Sequence, residues 1–458
     1  MALRARRVSR RRPSRRSALP GRAPGTSTAD RGHWGPADWA HLRRDRRITT
    51  RLRRERRRRW TARAAWTTAA ALVAAAVVGL SARYVRPTVW LPQVAAVALP
   101  FLGPALALGA LVAGGVAVRS RQPVTAVGAA LLAVTAATVL TRGAAPPAAP
   151  AGAGGVRVMS LNVGAVTSDS RGPFAEYLRA TSPHIVVLQE ADVRSVLHGG
   201  RRAQLYGPAV AELQSEGYVA AGGVAEEIAN QSGPAHRQVV YTRLPVVAHS
   251  AAELGPTDTG PSVYSRVVVE WGGRHVAVYD VHLRPFNPSA GWSLSRMLNP
   301  RVWVETPGRL RTFLALQSEE AERLAALLDA ERLPFIVAGD FNATPDQWSR
   351  ALLSRRAGEV IGRGPQATTR PDAVPVAAID GILAGPGWSV RSAHVGPAGL
   401  SDHRAVSAEL VLTVERRAGA GRWGRPAAPP VADFLTHLPP GARPPVRRST
   451  GSRTGGAR

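Results

Sequence analysis

The sequence predicts an α/β fold, a mixed-sheet sandwich with helices outside it, preceded by three transmembrane helices. Three observations lead there. Between residues 156 and 414, strand-like apolar runs alternate with helical stretches and hairpin signals, the pattern of a layered α/β domain. Ahead of it lie three apolar segments without a charged residue, each near the roughly 17–25 residues that cross a hydrocarbon core as helix. Charge also divides the chain. All 60 basic residues are Arg, 22 of them within residues 1–63, whereas residues 156–414 carry 24 Arg against 25 acids. The formal charge of +29 therefore describes the ends of the chain.

Residues 1–62 contain "RRVSRRRPSRR" and "RLRRERRRRW". Like-charge repulsion and few apolar residues predict a disordered basic tail, cytoplasmic and beside anionic lipid headgroups, where "RLRRERRRRW" can form a short helix. Residues 63–142 hold the three helices, at about 66–82, 94–118 and 124–140. None shows the polar stripe of a soluble helix. Pro100 and Pro104 are expected to kink the second. The N-terminal Arg block and "RSRQP" at 119–123 mark the cytoplasmic side, so three crossings place everything after residue 142 outside the cell. "GAAPPAAPAGAGG" at 143–155 reads as a semi-extended linker. Residues 415–458, rich in Pro, Gly and Arg, read as a disordered tail. The absence of Cys removes disulfides and thiolate metal sites.

Within 156–414, "VRVMSLNVG" alternates as a strand, and a Pro-started helix follows around "PFAEYLRATSP". "HIVVLQE" is a fully apolar strand. Further strands are expected at "QVVYTRLPVVAH", "SRVVVEWGG" and "HVAVYDVHL", the last two joined by a Gly-Gly hairpin turn. A helix over "RTFLALQSEEAERLAALLDAE" then precedes the strand "IVAGDFN", with strands near "AAIDGILAG" and "RAVSAELVLTV".

The strand ends collect polar residues. Asn162 follows "VMSL", Gln189 and Glu190 follow "IVVL", and His282 follows "VYDV". Asp340 and Asn342 follow "IVAG", Asp380 follows "AAI", and Asp402 and His403 lie in "LSDHRAV". Such groups are costly to bury unless they converge on a cation or ligand. Gln189 is read as a brace for its strand.

The ordered set LNV, LQE, HL, GDFN, ID-x-IL and SDHRAV resembles the endonuclease/exonuclease/phosphatase family, the DNase I-like fold, over residues 156 to about 414. The resemblance implies a four-layer α/β sandwich and hydrolysis of phosphate esters with Mg2+, Mn2+ being the alternative ion. It makes Glu190, Asn162 and Asp402 the metal ligands. It gives Asp340 the attacking water, Asn342 a phosphoryl oxygen, and His282 and His403 the phosphate, with Asp380 holding His403. Gly381 departs from the pattern, since relatives often place His, Tyr or Arg there.

A nucleic-acid enzyme must neutralise phosphates with positive charge, and the near-neutral 156–414 region shows no excess. The stretch 286–304 instead interleaves Phe286, Trp292, Met297 and Trp303 with Arg, a composition suited to a water–lipid boundary. With three membrane segments ahead of an external domain, the chain is similar to the membrane-anchored VanJ-type teicoplanin-resistance proteins. That likeness implies a lipid phosphate or polyprenyl pyrophosphate as substrate, in cell-envelope metabolism. An extracellular nuclease and a sphingomyelinase-like phosphodiesterase are the alternatives.

Overall fold

The structure is a computed structural model. It describes residues 36–120, 123–141, 154–164, 171–191, 210–221, 238–255, 262–285, 300–361, 367–370, 375 and 377–413. The chain divides into two compact units, Met1–Ala65 and Trp66–Arg458.

In the first unit the described part is helical. Helix α1 runs Pro36–Ser81, so residues 36–62 of the expected basic tail are helical. Arg is a good helix former, and Arg51 and Glu55 pair one turn apart on an exposed face.

The second unit opens with the apolar end of α1, then α2 (Trp90–Ser120) and α3 (Pro123–Thr141). Leu99, Leu106, Leu132, Ala136 and Val139 form the seam between them. Pro100 and Pro104 lie inside α2, which continues through both. Among the described residues only α2, over Trp90–Val118, is long and apolar enough by itself to cross a membrane; the apolar segments Trp66–Ser81 and Thr125–Leu140 are shorter.

Among the described residues, twelve strands make two six-stranded sheets. The first has the order β11-β12-β1-β2-β4-β3, built from β1 (Val156–Asn162), β2 (Ile185–Gln189), β3 (Val219–Ala220), β4 (Gln238–Thr242), β11 (Trp388–Val395) and β12 (Val406–Leu412). The second has the order β5-β6-β7-β8-β10-β9, from β5 (Val246–Glu253), β6 (Val263–Trp271), β7 (Arg274–His282), β8 (Phe335–Asp340), β9 (Gly358–Glu359) and β10 (Asp380–Ala384). Each sheet has a parallel pair near its centre. α4 (Arg171–Thr181) connects β1 to β2, and α5 (Pro300–Ala330) connects β7 to β8. The other strand pairs are antiparallel, including the β6–β7 hairpin turned at Gly272 and Gly273, both at positive φ.

The burial pattern follows from strand alternation. Val158, Val187, Val278, Ile336, Ile382 and Ala408 meet between the sheets. Met159, Leu161, Val186 and Leu188 point the other way, onto Phe174, Tyr177 and Leu178 of α4. Tyr279, Val281 and Val337 point onto Ala321, Leu324 and Leu328 of α5. Strands such as β2 and β8 are buried on both faces, and this is why they read as unbroken apolar runs. The result is helix, sheet, sheet, helix.

Three differences from the sequence reading have local causes. α5 begins at Pro300 and carries Pro307 inside it, so the last part of the expected 286–304 loop is helical. β11 was not expected; it is an edge strand with a register shift between Val390 and Ser392 and mostly half-buried or exposed residues, which blurs its alternation. "QVVYTRLPVVAH" is two strands, β4 and β5, in different sheets. Residues 286–299 and 414–458 lie outside the described residues.

Candidate active site

In a parallel pair both strands end at the same edge, and α/β folds bind ligands there. β1 and β2 end in Asn162 and Gln189, which stand side by side. β7 and β8 end in His282 and Asp340, again side by side, and antiparallel β10 brings Asp380 opposite Asp340. These side chains share the inner faces with the apolar residues of the same strands. The intersheet layer therefore changes from apolar to polar along its length.

The polar end joins the sheets. Asn162 Nδ2 donates to Asp340 Oδ2 at 3.0 Å and to Glu190 Oε1 at 3.1 Å, while its Oδ1 accepts from the Gly164 N–H. Deeper in, Gln189 Nε2 donates to Asp280 Oδ1 at 2.9 Å across the sheets, and Ser160 Oγ donates to Gln189 Oε1 at 3.4 Å. Gln189 is thus a brace, between sheets as well as within one. Ahead of β12, His403 Nδ1 lies 2.8 Å from Asp380 Oδ2 and 3.9 Å from Asp340 Oδ2.

Backbone strain accompanies these contacts. Glu190 has φ +54° and Asn342 φ +47°, left-handed values that cost a non-glycine residue on the order of 1–3 kcal/mol. Asn342 is held there on three sides. Its N–H donates to Asp340 Oδ1, its Nδ2 to the Leu283 carbonyl, and its own carbonyl accepts from Gln317 Nε2. The Gly of GDFN is required as well. Gly339 has φ +150°, and a Cβ there would lie 1.9 Å from the Val281 carbonyl oxygen.

Electrostatics divide the roles. Burial alone would lower the His403 pKa, but the charge and hydrogen bond of Asp380, then the charge of Asp340, raise it to about 9. The ring is cationic at neutral pH, with its proton on Nδ1 directed at Asp380. Asp340 is raised by burial and by Asp380, against the opposing pull of His403, His282 and the Asn342 N–H. A carboxylate so poised can accept a proton from water.

Two groupings could hold a divalent cation. Asp340, Asp380 and His403 offer donor atoms within 4.8 Å of one another. The His403 nitrogen turned to this group is already joined to Asp380, however, so the imidazolium itself supplies the positive charge. The second grouping brings the Glu190 and Asp340 carboxylates, oxygen donors of the kind a hard cation takes, beside His282. His282 Nε2 is buried with no hydrogen-bond partner among the described residues, 3.7 Å from both Glu190 Oε1 and Asp340 Oδ2. Asn162 lies between the same two carboxylates. To act as a ligand it must turn its amide over, because Nδ2 has no lone pair to give.

Glu190, Asn162, His282, Asp340, Asn342, Asp380 and His403 are therefore linked through these contacts. The expected third ligand, Asp402, is instead paired with Arg370 at 3.1 Å, both side chains being partly exposed. Several supporting residues escaped the sequence reading. Arg350, 1 % exposed, forms two bonds to the Glu359 carboxylate, donates to the Ile379 and Asp380 carbonyls, and stacks on Phe341 of GDFN. A Cβ on Gly381 would lie 1.8 Å from its Nη2. The guanidinium fills the place that a side chain at 381 would take. Gln317, a polar residue on the apolar stripe of α5, was the signal for the support under Asn342.

No curated protein matches the chain in sequence. Several solved structures of low identity are similar to it over part of its length. A Bacteroides vulgatus endonuclease/exonuclease/phosphatase is 16% identical, with 56% of this chain and 99% of that one covered and a TM-score of 0.40. The human Nocturnin catalytic domain is 20% identical over 57% and 95%, TM-score 0.37. Sphingomyelinase C from Streptomyces griseocarneus is 17% identical over 56% and 99%, TM-score 0.36. A family model matches residues 159–403, from the strand that delivers Asn162 to the histidine that pairs with Asp380, and more than half of the chain belongs by that match to the Endonuclease/Exonuclease/phosphatase family.

Proposed function

We propose that the protein is a membrane-anchored, divalent-cation-dependent phosphoesterase acting outside the cytoplasm on a lipid phosphate, with a polyprenyl pyrophosphate the best-suited substrate. The hydrolase chemistry rests on family membership and on the site. The lipid substrate rests on one observation: the helices ahead of the sandwich expose an apolar surface, including Leu108, Leu111, Val112, Val127, Leu131 and Val134. Patches of this kind mark membrane or protein contact. The near-neutral charge of 156–414 also favours a small phosphate headgroup over a duplex.

Within that reading each residue has a task. Glu190 and Asn162 would hold the cation, and Asp402 would join them on leaving Arg370. A bound Mg2+ or Mn2+ would supply polarisation of a phosphoryl oxygen and neutralise charge developing on it. Asp340, fixed by the Asn342 N–H, orients a water and takes its proton. Asn342 donates one amide hydrogen to Leu283 and has a second for a phosphoryl oxygen. His403, held by Asp380, presents positive charge to the phosphate and a proton to the leaving oxygen; His282 approaches from beside Glu190.

The test is a substrate panel with the full chain in detergent. Phosphate release from a polyprenyl pyrophosphate is measured beside cleavage of plasmid DNA and sphingomyelin, each with and without Mg2+. Preference for the polyprenyl substrate supports the reading, and preference for DNA or sphingomyelin overturns its lipid-phosphate part. Asp340→Ala and His403→Ala should each lower kcat/KM at least about 1,000-fold with the fold retained. Activity within about twofold of wild type would remove those residues from the mechanism.

A further inference from the structure

The connection between α1 and α2 is bonded to the same part of the sandwich that carries the site. Gln93, near the start of α2, is a polar side chain only 1% exposed. Its Nε2 donates to the Ala82 and Val85 carbonyls and shapes the connection itself. Its Oε1 accepts the backbone N–H of Trp348, the first residue of α6 (Trp348–Ser354), and its carbonyl accepts from Gln347 Nε2. Gln347, at the N-cap position, makes no side-chain cap bond to α6, so Gln93 supplies that cap from 255 residues away. Arg355, just past α6, donates to the Arg83 carbonyl, and Arg86 pairs with Glu322 of α5.

α6 reaches the chemistry at its other face. Arg350 projects from it to the Ile379 and Asp380 carbonyls and to the Phe341 ring. Gln347 Oε1 also accepts the Thr344 N–H, two residues beyond Asn342. We propose that Gln93 is a positioning residue for catalysis: by capping α6 it fixes Arg350, and through Arg350 the backbone that aims Asp380 and Asp340. The membrane-proximal connection is in this sense part of the active-site scaffold, and the sandwich is complete only with it. Because a displacement of about 1 Å at a reacting group can cost a hundredfold in rate, a cap lost outside the site reads out in turnover.

The test compares wild type, Gln93→Met, Arg350→Lys and the double variant, all as full chains in detergent. Hydrogen exchange needs neither substrate nor cation. Gln93→Met should increase exchange at 344–354 and also at 379–382; an increase confined to 82–93 overturns the coupling. Kinetics on bis(p-nitrophenyl) phosphate with Mg2+ give the second arm, which rests on the phosphoesterase reading. Gln93→Met should lower kcat about tenfold with KM within twofold, and the double variant should be no worse than the weaker single variant. Multiplying effects mean independent sites and overturn the proposal, as does unchanged kcat in Gln93→Met. If wild type cleaves neither this diester nor any substrate of the panel above, the phosphoesterase reading falls and the exchange result alone decides this one.

Discussion

Asp280 is wholly enclosed between the sheets. Burial pushes its carboxyl pKa well up, the Gln189 hydrogen bond opposes this, and Oδ2 has no partner among the described residues. The fold therefore favours the protonated acid more than the unfolded chain does. A group whose folded pKa is raised favours folding fully only below its unfolded pKa, and that contribution is lost as pH rises. Asp280→Asn keeps the acceptor for Gln189 and removes the titration. It should stabilise the protein at pH 7 by on the order of 1–2 kcal/mol, and the gain should vanish below about pH 4. Denaturant unfolding at both pH values checks this; an equal difference at both would show that Asp280 is not the titrating group. Residues of this kind divide sharply in legibility. Acids and His at strand ends stood out because local sequence gave no bland reason for them. Arg350 did not, because its partners Glu359, Ile379 and Asp380 are a matter of tertiary contact, and an Arg in "WSRALL" looks like any exposed helical Arg. Asp402 shows the converse: its place in SDH was legible, its pairing with Arg370 was not.

The elements that position the site are β1-α4-β2 and β7-α5-β8, and both were readable from apolar runs ending in polar residues. What was not readable was where an element meets its neighbour. β11 is an edge strand with a register shift, α1 starts earlier than its charge suggests, and α6 is too short for periodicity to speak. Two glycines measure how closely β8 and β10 are fitted to their surroundings. At Gly339 an added methyl meets a backbone carbonyl of β7 at 1.9 Å, on a φ of +150°; neither atom can move without breaking the β7–β8 ladder. At Gly381 it meets the end of the Arg350 side chain, which can swing. Gly339→Ala should therefore fail to fold or lose about 3 kcal/mol or more, whereas Gly381→Ala should fold with a smaller loss and mainly reduce kcat, through displaced Arg350. Melting temperatures and kcat of the two variants decide it. Equal destabilisation would mean that Arg350 is as fixed as the backbone.

For the whole molecule, charge and apolar surface bear on the proposed orientation. The proposed topology keeps the Arg-rich N-terminus in the cytoplasm, since Arg-rich flanks are retained there. A re-entrant second segment would reverse the side on which residue 142 emerges, and α2 is a continuous helix through Pro100 and Pro104, which favours a full crossing. The apolar stretches of α1 and α3 are shorter than about 20 residues, but α1 continues into Arg-rich turns whose long side chains can extend to the headgroups. The bonds from 82–93 to α5 and α6 further support placing that connection and the sandwich on one side. Because the chain has no cysteine, single substitutions report topology without background. An impermeant maleimide applied to intact cells should label Ala148→Cys in the linker, and should label Ser27→Cys and Ser120→Cys only after permeabilisation. Labelling of Ser27→Cys in intact cells, with Ala148→Cys protected, would invert the orientation and place the catalytic domain in the cytoplasm. Protection of all three until permeabilisation would leave no outward-facing linker, and the substrate would then have to be met on the cytoplasmic side.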